Sequence, residues 1–389
     1  MKKICIVTGS RAEYSLLRPL LNKIKSDGRF KLQVIATGMH LSPEFGYTYQ
    51  EIEKDGFRID EKVEMHLSSD TGQGITKSMG IGLIGFADAI SRLKPDLVVI
   101  LGDRFEIFTA AISSFVSGIP IAHIHGGELT EGAIDDAMRH SITKMSMLHF
   151  VATEEYRRRV IQLGELPERV FNVGALGVDN IKRSKLLTKE RLEKELNFKF
   201  GRRNVLVTFH PVTLEKDNAE SQFKEVLAAL DEMEDLKAIF TMPNADTYGR
   251  SIIRLIDRYV KENPERCVSF VSLGQLRYLS TVKYMDAVVG NSSSGIVEVP
   301  SLKRPTVNIG DRQKGRAKAK SIIDCEPKRK GIRKALDKAF SREFKSFCKT
   351  VKNPYEGRDS ARKIFDIVKI KINELKDLKK SFYNVHWKE

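Results

Sequence analysis

The chain of 389 residues is longer than a single core of ordinary size and predicts two domains. Its composition, 41% hydrophobic and 30% charged, is typical of soluble proteins, and no apolar run reaches the roughly 20 residues that a membrane helix needs. The formal net charge of +15 favours anionic partners such as nucleic acid, membrane surfaces or phosphorylated small molecules. Four scattered cysteines without a C-x-x-C pair argue against zinc and against a disulfide framework, which favours a cytoplasmic location.

Short β-branched runs alternate with amphipathic stretches through the first half of the chain. These runs predict buried strands at residues 4–8, 32–36, 97–101, 119–124 and 148–151. Leucine and isoleucine at one-face helical spacing over 16–24, and an apolar stretch at 107–116, predict helices between the strands. Strands that alternate with helices predict a parallel, doubly wound sheet.

The same alternation restarts after residue 202. Further strands are predicted at residues 205–209, 238–241, 268–271, 287–289 and 306–309. We therefore expect an α/β fold with two Rossmann-like domains that face a cleft, with ligands at the carboxyl ends of the strands. Residues 312–352 are basic and less periodic, and 359–378 predict an amphipathic helix that packs back across the domains.

The expected domain bounds follow from this alternation. Residues 1–174 are expected to form an N-terminal Rossmann-like domain, and residues 175–358 a C-terminal Rossmann-like domain. Residues 359–389 form a C-terminal helix that returns toward the N-terminal domain.

Two strand ends in the first half combine glycine with charged side chains. The turn Gly9-Ser10-Arg11 opens a helix, where free N–H groups suit an anion, although an ordinary turn explains it as well. The next such turn is Gly102-Asp103-Arg104. Asp103 is there a candidate general base, with a helix cap paired with Arg104 as the alternative.

Histidines and carboxylates gather after the following strand. Residues 123–128 read His-Ile-His-Gly-Gly-Glu, and Asp135 and Asp136 come soon after. Because side chains alternate along a strand, only one of His123 and His125 can face the cleft. The cluster suits acid–base chemistry, whereas a metal site is disfavoured because no H-E-x-x-H pattern occurs. The paired aspartates alternatively mark the first turn of a helix.

The second half offers two further strand ends. His210 follows one strand, and residues 290–295 (Gly-Asn-Ser-Ser-Ser-Gly) follow another and open a helix. Hydroxyls and N–H groups in such a turn suit a diphosphate without a metal, with a flexible surface loop as the alternative. The lysine of a P-loop is missing, which disfavours ATP hydrolysis of that type.

Taken together, these motifs resemble those of the hydrolysing UDP-N-acetylglucosamine 2-epimerases of bacterial sialic acid biosynthesis. The resemblance covers nearly the whole chain and rests on residues 8–14, 37–40, 102–104, 123–128, 134–136, 139–141, 209–211, 290–293 and 310–313. It implies a glycosyltransferase-B type fold, a cytoplasmic homodimer, and chemistry without cofactor or metal. In the implied reaction, anti elimination expels UDP and leaves a 2-acetamidoglucal, which water converts into free N-acetylmannosamine.

The resemblance also implies roles for particular residues. Asp103 and Asp135 match two catalytic carboxylates. Several family members carry Glu where this chain has His125, so either His125 or Glu128 supplies the third acid–base group. Glu298 is expected to hold the ribose hydroxyls, while serines and arginines take the phosphates. The residues that match the nucleotide-sugar shell are Arg11, Ser15, Arg104, His210, Asn244, Ser292, Ser293, Glu298 and Arg312.

Three alternatives stay open at this point. Related enzymes with the same motifs act on UDP- or GDP-linked 2,4-diacetamido-2,4,6-trideoxyglucose for legionaminic acid synthesis; we favour UDP-N-acetylglucosamine because Ser15 and residues 310–316 look most like the sialic acid group. A non-hydrolysing epimerase is disfavoured, since it reads Gly-Thr-Arg-Pro-Glu at the first turn and His-Val-Glu-Ala-Gly at the fourth strand. A basic nucleic-acid-binding protein is the remote alternative, because no aromatic-interleaved basic motif occurs.

Overall fold

Two parallel β-sheets organise the chain, and each sheet belongs to its own unit. The first unit comprises Met1–Glu128, Asp135–Asp179 and Gly357–Glu389, and the second comprises Leu129–Ile134 and Asn180–Glu356. This computed structural model describes residues 1–389 apart from 68, 70, 132, 212–217, 244–248, 358, 376 and 386–389.

The first unit contains a seven-stranded parallel sheet in the order β3-β2-β1-β4-β5-β6-β7. Its central strands are buried along most of their length, as parallel strands covered on both faces must be. The strands are β1 (Lys2–Thr8), β2 (Phe30–Thr37), β3 (Glu61–Val63), β4 (Leu97–Leu101), β5 (Ile121–Ile124), β6 (Leu148–Val151) and β7 (Val170–Asn172).

Helices follow most of these strands. Because several of these helices begin just beyond the carboxyl end of a strand, their first turns gather at one edge of the sheet. The helices are α1 (Arg11–Ser26), α2 (Tyr49–Lys54), α3 (Gly72–Leu93), α4 (Phe105–Val116), α5 (Ile134–Met145), α6 (Glu154–Gln162) and α7 (Leu176–Arg183).

The second unit contains a six-stranded parallel sheet in the order β10-β9-β8-β11-β12-β13. Its strands are β8 (Arg203–Thr208), β9 (Leu236–Thr241), β10 (Cys267–Phe270), β11 (Ala287–Gly290), β12 (Thr306–Ile309) and β13 (Ile322–Cys325). Its helices are α8 (Lys189–Leu196), α9 (Ala219–Asp231), α10 (Gly249–Glu262), α11 (Gly274–Tyr284), α12 (Ser293–Val297), α13 (Arg329–Phe340) and α14 (Arg342–Thr350).

The C-terminal segment returns to the first unit as helix α15 (Ser360–Lys371), which packs against α1. Ser360 anchors its first turn by donating a hydrogen bond to the Val173 carbonyl oxygen at 2.8 Å. Ile364 and Phe365 lie in the same apolar core as the buried residues of β1 and α1. The helix is shorter than the sequence pattern suggests, because residues 372–374 continue it only as a 3₁₀ turn.

The prediction of two parallel-sheet α/β domains is confirmed by these two sheets. Among the helices that the structure describes, none combines the length and the apolar character that crossing a bilayer requires.

Candidate active site

Arg139 of α5 connects three segments that carry predicted catalytic groups. Its side chain is almost fully buried, and its guanidinium donates hydrogen bonds to the Asp103 carboxylate and, at 3.1 Å, to Oδ1 of Asp136. It also donates to the Glu128 carbonyl oxygen at 2.8 Å. A buried charge needs such partners, since removing one member of a buried ion pair leaves the charge of the other member uncompensated. Arg139 therefore fixes Asp103, which follows β4, beside the first turn of α5.

The predicted catalytic group Asp135 lies in that first turn, next to Asp136. Asp135 is half-buried, and a carboxylate in the first turn of a helix interacts favourably with the partial positive charge of the helix N-terminus. The two interpretations of the paired aspartates are thus compatible: they begin α5, and they bring carboxylates to the strand ends.

His125 and Glu128 form a pair at the end of β5. His125 Nδ1 lies 3.5 Å from Oε1 of Glu128, and both side chains are largely buried. The His125 backbone has a φ of +68°, a left-handed conformation that is uncommon outside glycine. A tight turn explains this: Gly127 is also left-handed, and a Cβ there would lie 2.6 Å from the Tyr156 carbonyl oxygen.

The neighbouring His123 belongs to the core. Its Nε2 lies 2.8 Å from the Gly102 carbonyl oxygen, and its Nδ1 lies 3.3 Å from the Thr143 hydroxyl. Burial lowers the pKa of His123 to about 3, so the imidazole is neutral over the physiological range. Of these two histidines, only His125 keeps any exposed surface.

Two buried carboxyl groups, neither of them predicted as a site residue, lie beneath this edge of the sheet. Arg104 donates to Oε1 of Glu106 at 3.3 Å, and His66 Nε2 lies 3.5 Å from the same oxygen. Burial alone would raise the pKa of Glu106, but Arg104 and His66 together hold it below its usual value. Burial, and then the charge of Glu106, raise the pKa of Glu13 to about 8. One carboxyl is thus ionised and the other protonated at neutral pH.

The predicted binding residues Arg11 and Ser15 lie at the start of α1. Ser10 caps this helix by accepting from the Glu13 N–H, and Ser15 donates to the Arg11 carbonyl oxygen at 2.9 Å. The Arg11 guanidinium pairs with Glu51 at 2.6 Å. Both predicted residues therefore lie at the carboxyl end of β1, as an anion-binding turn would require.

In the second unit, Asn291 joins the ends of β8 and β11. Its side-chain oxygen accepts from the His210 N–H at 2.7 Å, and its side-chain nitrogen donates to the His210 carbonyl oxygen at 2.8 Å. The preceding Gly290 has a φ of +131°, and a Cβ there would lie only 1.9 Å from the Thr208 carbonyl oxygen. The glycine is required by this close approach of the two strands.

The remaining predicted nucleotide-binding residues follow β11 and β12. Ser292 and Ser293 begin α12, and Glu298 ends it. Burial raises the pKa of Glu298, although a hydrogen bond from Ser294 opposes the shift. The loop after β12 contacts this turn, since Arg312 donates to the Asn291 carbonyl oxygen at 3.3 Å.

The structure thus separates the predicted residues into two sets, one in each unit. Asp103, Asp135, His125 and Glu128 share the edge around Arg139, and His210, Ser292 and Arg312 share the edge around Asn291. Asn244 lies outside the described residues. Within the described part of the chain, no three His, Cys, Asp or Glu side chains come together as a metal site would need, and metal-free chemistry stays a prediction.

The sequence motifs included Arg139 and Asn291, but sequence analysis gave no role to either of them or to Glu106. Arg139 comes three residues after Asp136, and Glu106 comes two residues after Arg104. A charged residue so close to a predicted carboxylate or guanidinium could have indicated that the two side chains pair in the site. For Asn291, the signal is an amide between a glycine and a serine run at a strand end.

Comparison with known proteins identifies the family of the chain. A family model described as UDP-N-acetylglucosamine 2-epimerase matches residues 22–369. The chain is 47% identical over 344 residues to a GDP/UDP-N,N'-diacetylbacillosamine 2-epimerase (hydrolyzing) of Campylobacter jejuni, covering 88% of this chain and 89% of that protein. It is 40% identical to polysialic acid biosynthesis protein P7 of Escherichia coli, over 99% and 98% of the two chains.

A solved structure supports the fold. UDP-GlcNAc 2-epimerase from Neisseria meningitidis, bound to UDP-GlcNAc, superposes with a TM-score of 0.78 at 15% identity, over 95% of this chain and 100% of that one. The family match and the two relatives confirm, over most of the sequence, the resemblance found in the motifs. The chain belongs to the UDP-N-acetylglucosamine 2-epimerase family.

Proposed function

We propose that this protein is a hydrolysing 2-epimerase that acts on UDP- or GDP-linked N,N'-diacetylbacillosamine, a 2,4-diacetamido-2,4,6-trideoxyglucose. The observation that carries the proposal is the 47% identity, over 88% of this chain, to the Campylobacter jejuni protein named for that activity. This substrate replaces the UDP-N-acetylglucosamine that we favoured from Ser15 and residues 310–316.

The reaction needs a base, a leaving-group site and a group that manages water. A base removes the proton from C2, the C1–O bond breaks, and the nucleoside diphosphate departs with the electron pair. Water then adds its hydroxyl to C1 and a proton returns to C2 from the other face, which gives the free 2-epimer. Acid–base groups held within a shielded site suit both stages.

The first unit offers the acid–base groups. Asp103 and Asp135 lie at the edge that Arg139 organises, and the paired His125 and Glu128 supply the third group. The pairing offers one answer to the question of which residue replaces the usual Glu: the carboxylate of Glu128 orients the imidazole of His125, which exchanges the proton. We therefore propose His125 as the group that exchanges the proton and Glu128 as the group that orients it.

The second unit offers the leaving-group site. Ser292 and Ser293 present hydroxyls and N–H groups for the diphosphate, Arg312 adds positive charge, and Glu298 is positioned to accept from the ribose hydroxyls. His210 is fixed beside them by Asn291.

Release of nucleoside diphosphate tests the proposal. The purified protein is incubated in parallel with UDP-diacetylbacillosamine, GDP-diacetylbacillosamine and UDP-N-acetylglucosamine, and the freed nucleotide and sugar are identified. We expect kcat/KM for one diacetamido substrate to exceed that for UDP-N-acetylglucosamine at least tenfold. A nucleotide-linked epimer without free diphosphate would contradict hydrolysis.

A second candidate is the hydrolysing epimerase of UDP-N-acetylglucosamine that serves sialic acid synthesis. The observation in its favour is the 40% identity to polysialic acid biosynthesis protein P7, which extends over 99% of this chain. Preference for UDP-N-acetylglucosamine in the same assay would select it.

A further inference from the structure

The loop after β12 is tied to the serine turn at its beginning. Gln313 is fully buried, and its side-chain nitrogen donates to the Asn291 carbonyl oxygen at 2.8 Å. Arg312 donates to the same oxygen at 3.3 Å. Since Asn291 directly precedes Ser292, these two hydrogen bonds connect the loop to the start of the serine turn.

The end of the same loop binds a distant part of the sequence. Arg316 Nε donates to the Leu129 carbonyl oxygen at 2.9 Å, and its terminal nitrogen donates to the buried hydroxyl of Thr130 at 3.2 Å. Gly315 is left-handed, and a Cβ there would lie 2.7 Å from Leu129 Cδ1. The exposed pair of Lys314 and Glu131 adds little, because water screens it. Among the described residues of this loop, Arg316 therefore provides the main polar contacts to the segment Leu129–Ile134.

The segment Leu129–Ile134 lies between two residues that are proposed for catalysis. Leu129 follows Glu128 directly, and Asp135 follows Ile134, so a group proposed for catalysis stands at each end. Arg139 fixes the backbone of Glu128 on one side of that junction, and Arg316 fixes Leu129 on the other. Arg139 and Arg316 thus hold the two sides of the junction between Glu128 and Leu129.

We propose that Arg316 is a positioning residue that couples occupation of the Ser292–Ser293 turn by a nucleoside diphosphate to the placement of Glu128 and Asp135. The inference rests on the proposed function and extends it. In this proposal, binding at the turn restricts the motion of Asn291 and of the loop. The hydrogen bonds of Arg316 then restrict the motion of residues 129–130 as well. Ordering by a ligand at one site can favour an arrangement at another without any change of fold.

The test separates placement from binding. UDP and GDP are titrated into the wild-type protein and into Arg316→Met, Arg316→Lys and the control Lys318→Met, which removes a cation of the same loop that pairs with Asp324. For each variant we measure nucleotide affinity by calorimetry, kcat and KM with the preferred substrate, and hydrogen exchange of peptides that cover 125–135.

We expect the nucleotide to slow exchange at residues 129–131 in the wild type and in Lys318→Met. In Arg316→Met, affinity for the nucleotide should stay within about threefold, whereas kcat should fall by up to about 10²-fold, which is the cost of misplacing a reacting group, and the protection should vanish. Arg316→Lys, which keeps one donor for the Leu129 carbonyl oxygen, should be intermediate.

Two results would overturn the inference: protection that persists in Arg316→Met, or nucleotide affinity that falls in step with kcat. Its failure differs from failure of the proposed function. If UDP or GDP binds to the wild type without protecting 129–131, only the inference is wrong. If neither nucleotide binds, both are wrong.

Discussion

Arg139 shows how one guanidinium determines the geometry of several acid–base groups. It neutralises Asp103 and Asp136 and holds the backbone of Glu128, so these groups keep fixed relative positions. Preorganised charges of this kind need not rearrange during a reaction. His125 is held differently, by a strained backbone, and strain at such a position is retained where the surrounding packing enforces it.

The role of His125 is open to a direct substitution. Asn tolerates the left-handed backbone but cannot exchange a proton at neutral pH, so His125→Asn should keep the fold and lower turnover by about 10²- to 10⁴-fold. Release of nucleoside diphosphate measures this. The matched control is Lys94→Asn, also left-handed and at the end of α3, which should retain wild-type turnover. If His125→Asn stays within about threefold of wild type, Glu128 alone fills the role.

Glu13 should make stability depend on pH in an unusual direction for a carboxyl. Its pKa is about 8 in the folded protein against an ordinary value of 4.5, so the folded state holds a proton that the unfolded chain has released. This contribution is fully present below pH 4.5 and is lost as pH rises to about 8.

Comparison with Glu13→Gln isolates that contribution, because the amide oxygen can still accept from the Gly9 N–H. From pH 5 to 8, the wild type should lose thermal stability relative to Glu13→Gln when melting temperatures are followed by calorimetry. Parallel curves over that range would show that Glu13 ionises normally.

The site residues could be predicted to different degrees. Asp103, His125 and Arg312 stand in glycine-rich turns after strands, where side-chain type and position carry a clear signal. The partners of these residues could not be predicted in the same way, because Arg139 and Gln313 reach their contacts only through the fold. The left-handed backbone of His125 carries no sequence signal of its own, since such conformations favour Gly and Asn.

Among the elements, the close pairing of β8 and β11 depends on Gly290. Gly290→Ala places a Cβ against the Thr208 carbonyl oxygen and forces an unfavourable φ, so the second unit should lose more than about 3 kcal/mol of unfolding free energy. Thermal unfolding of the purified variant measures the loss. Gly28→Ala, with open space around the new methyl group, should change stability by less than about 0.5 kcal/mol. Equal stability of the two variants would contradict the tight contact.

The elements that sequence predicted best are the central strands. The bounds of β4, β6 and β12 agree with the predicted ones, and each of these strands is buried along its whole length. The short strands β3, β7 and β13 were not predicted, since an edge strand is covered on fewer sides and needs no such run. Helices α13 and α14 were also missed within the basic stretch 312–352, where charged residues obscure the apolar face.

For the whole molecule, α15 is part of the first unit's core although it follows the second unit in sequence. Ile364→Ala removes a fully buried side chain and should cost about 2–5 kcal/mol. The control Ile370→Ala, on the exposed face of the same helix, should cost less than about 0.5 kcal/mol.

Hydrogen exchange locates the effect of Ile364→Ala. Exchange should accelerate in peptides from β1 and α1, which share the core of Ile364, while peptides from β8 and β11 keep wild-type rates. Uniform acceleration throughout the chain would mean that the two units unfold as one.

The division of the first unit into three stretches of sequence has a consequence for making hybrids of related enzymes. A hybrid that exchanges only 180–356 would leave the native Leu129–Ile134 facing a foreign counterpart of Arg316 and Gly315. Exchanging 129–134 together with 180–356 keeps Arg316 and the segment that it binds from the same parent enzyme. Substrate preference should transfer cleanly between relatives only in hybrids of this second kind.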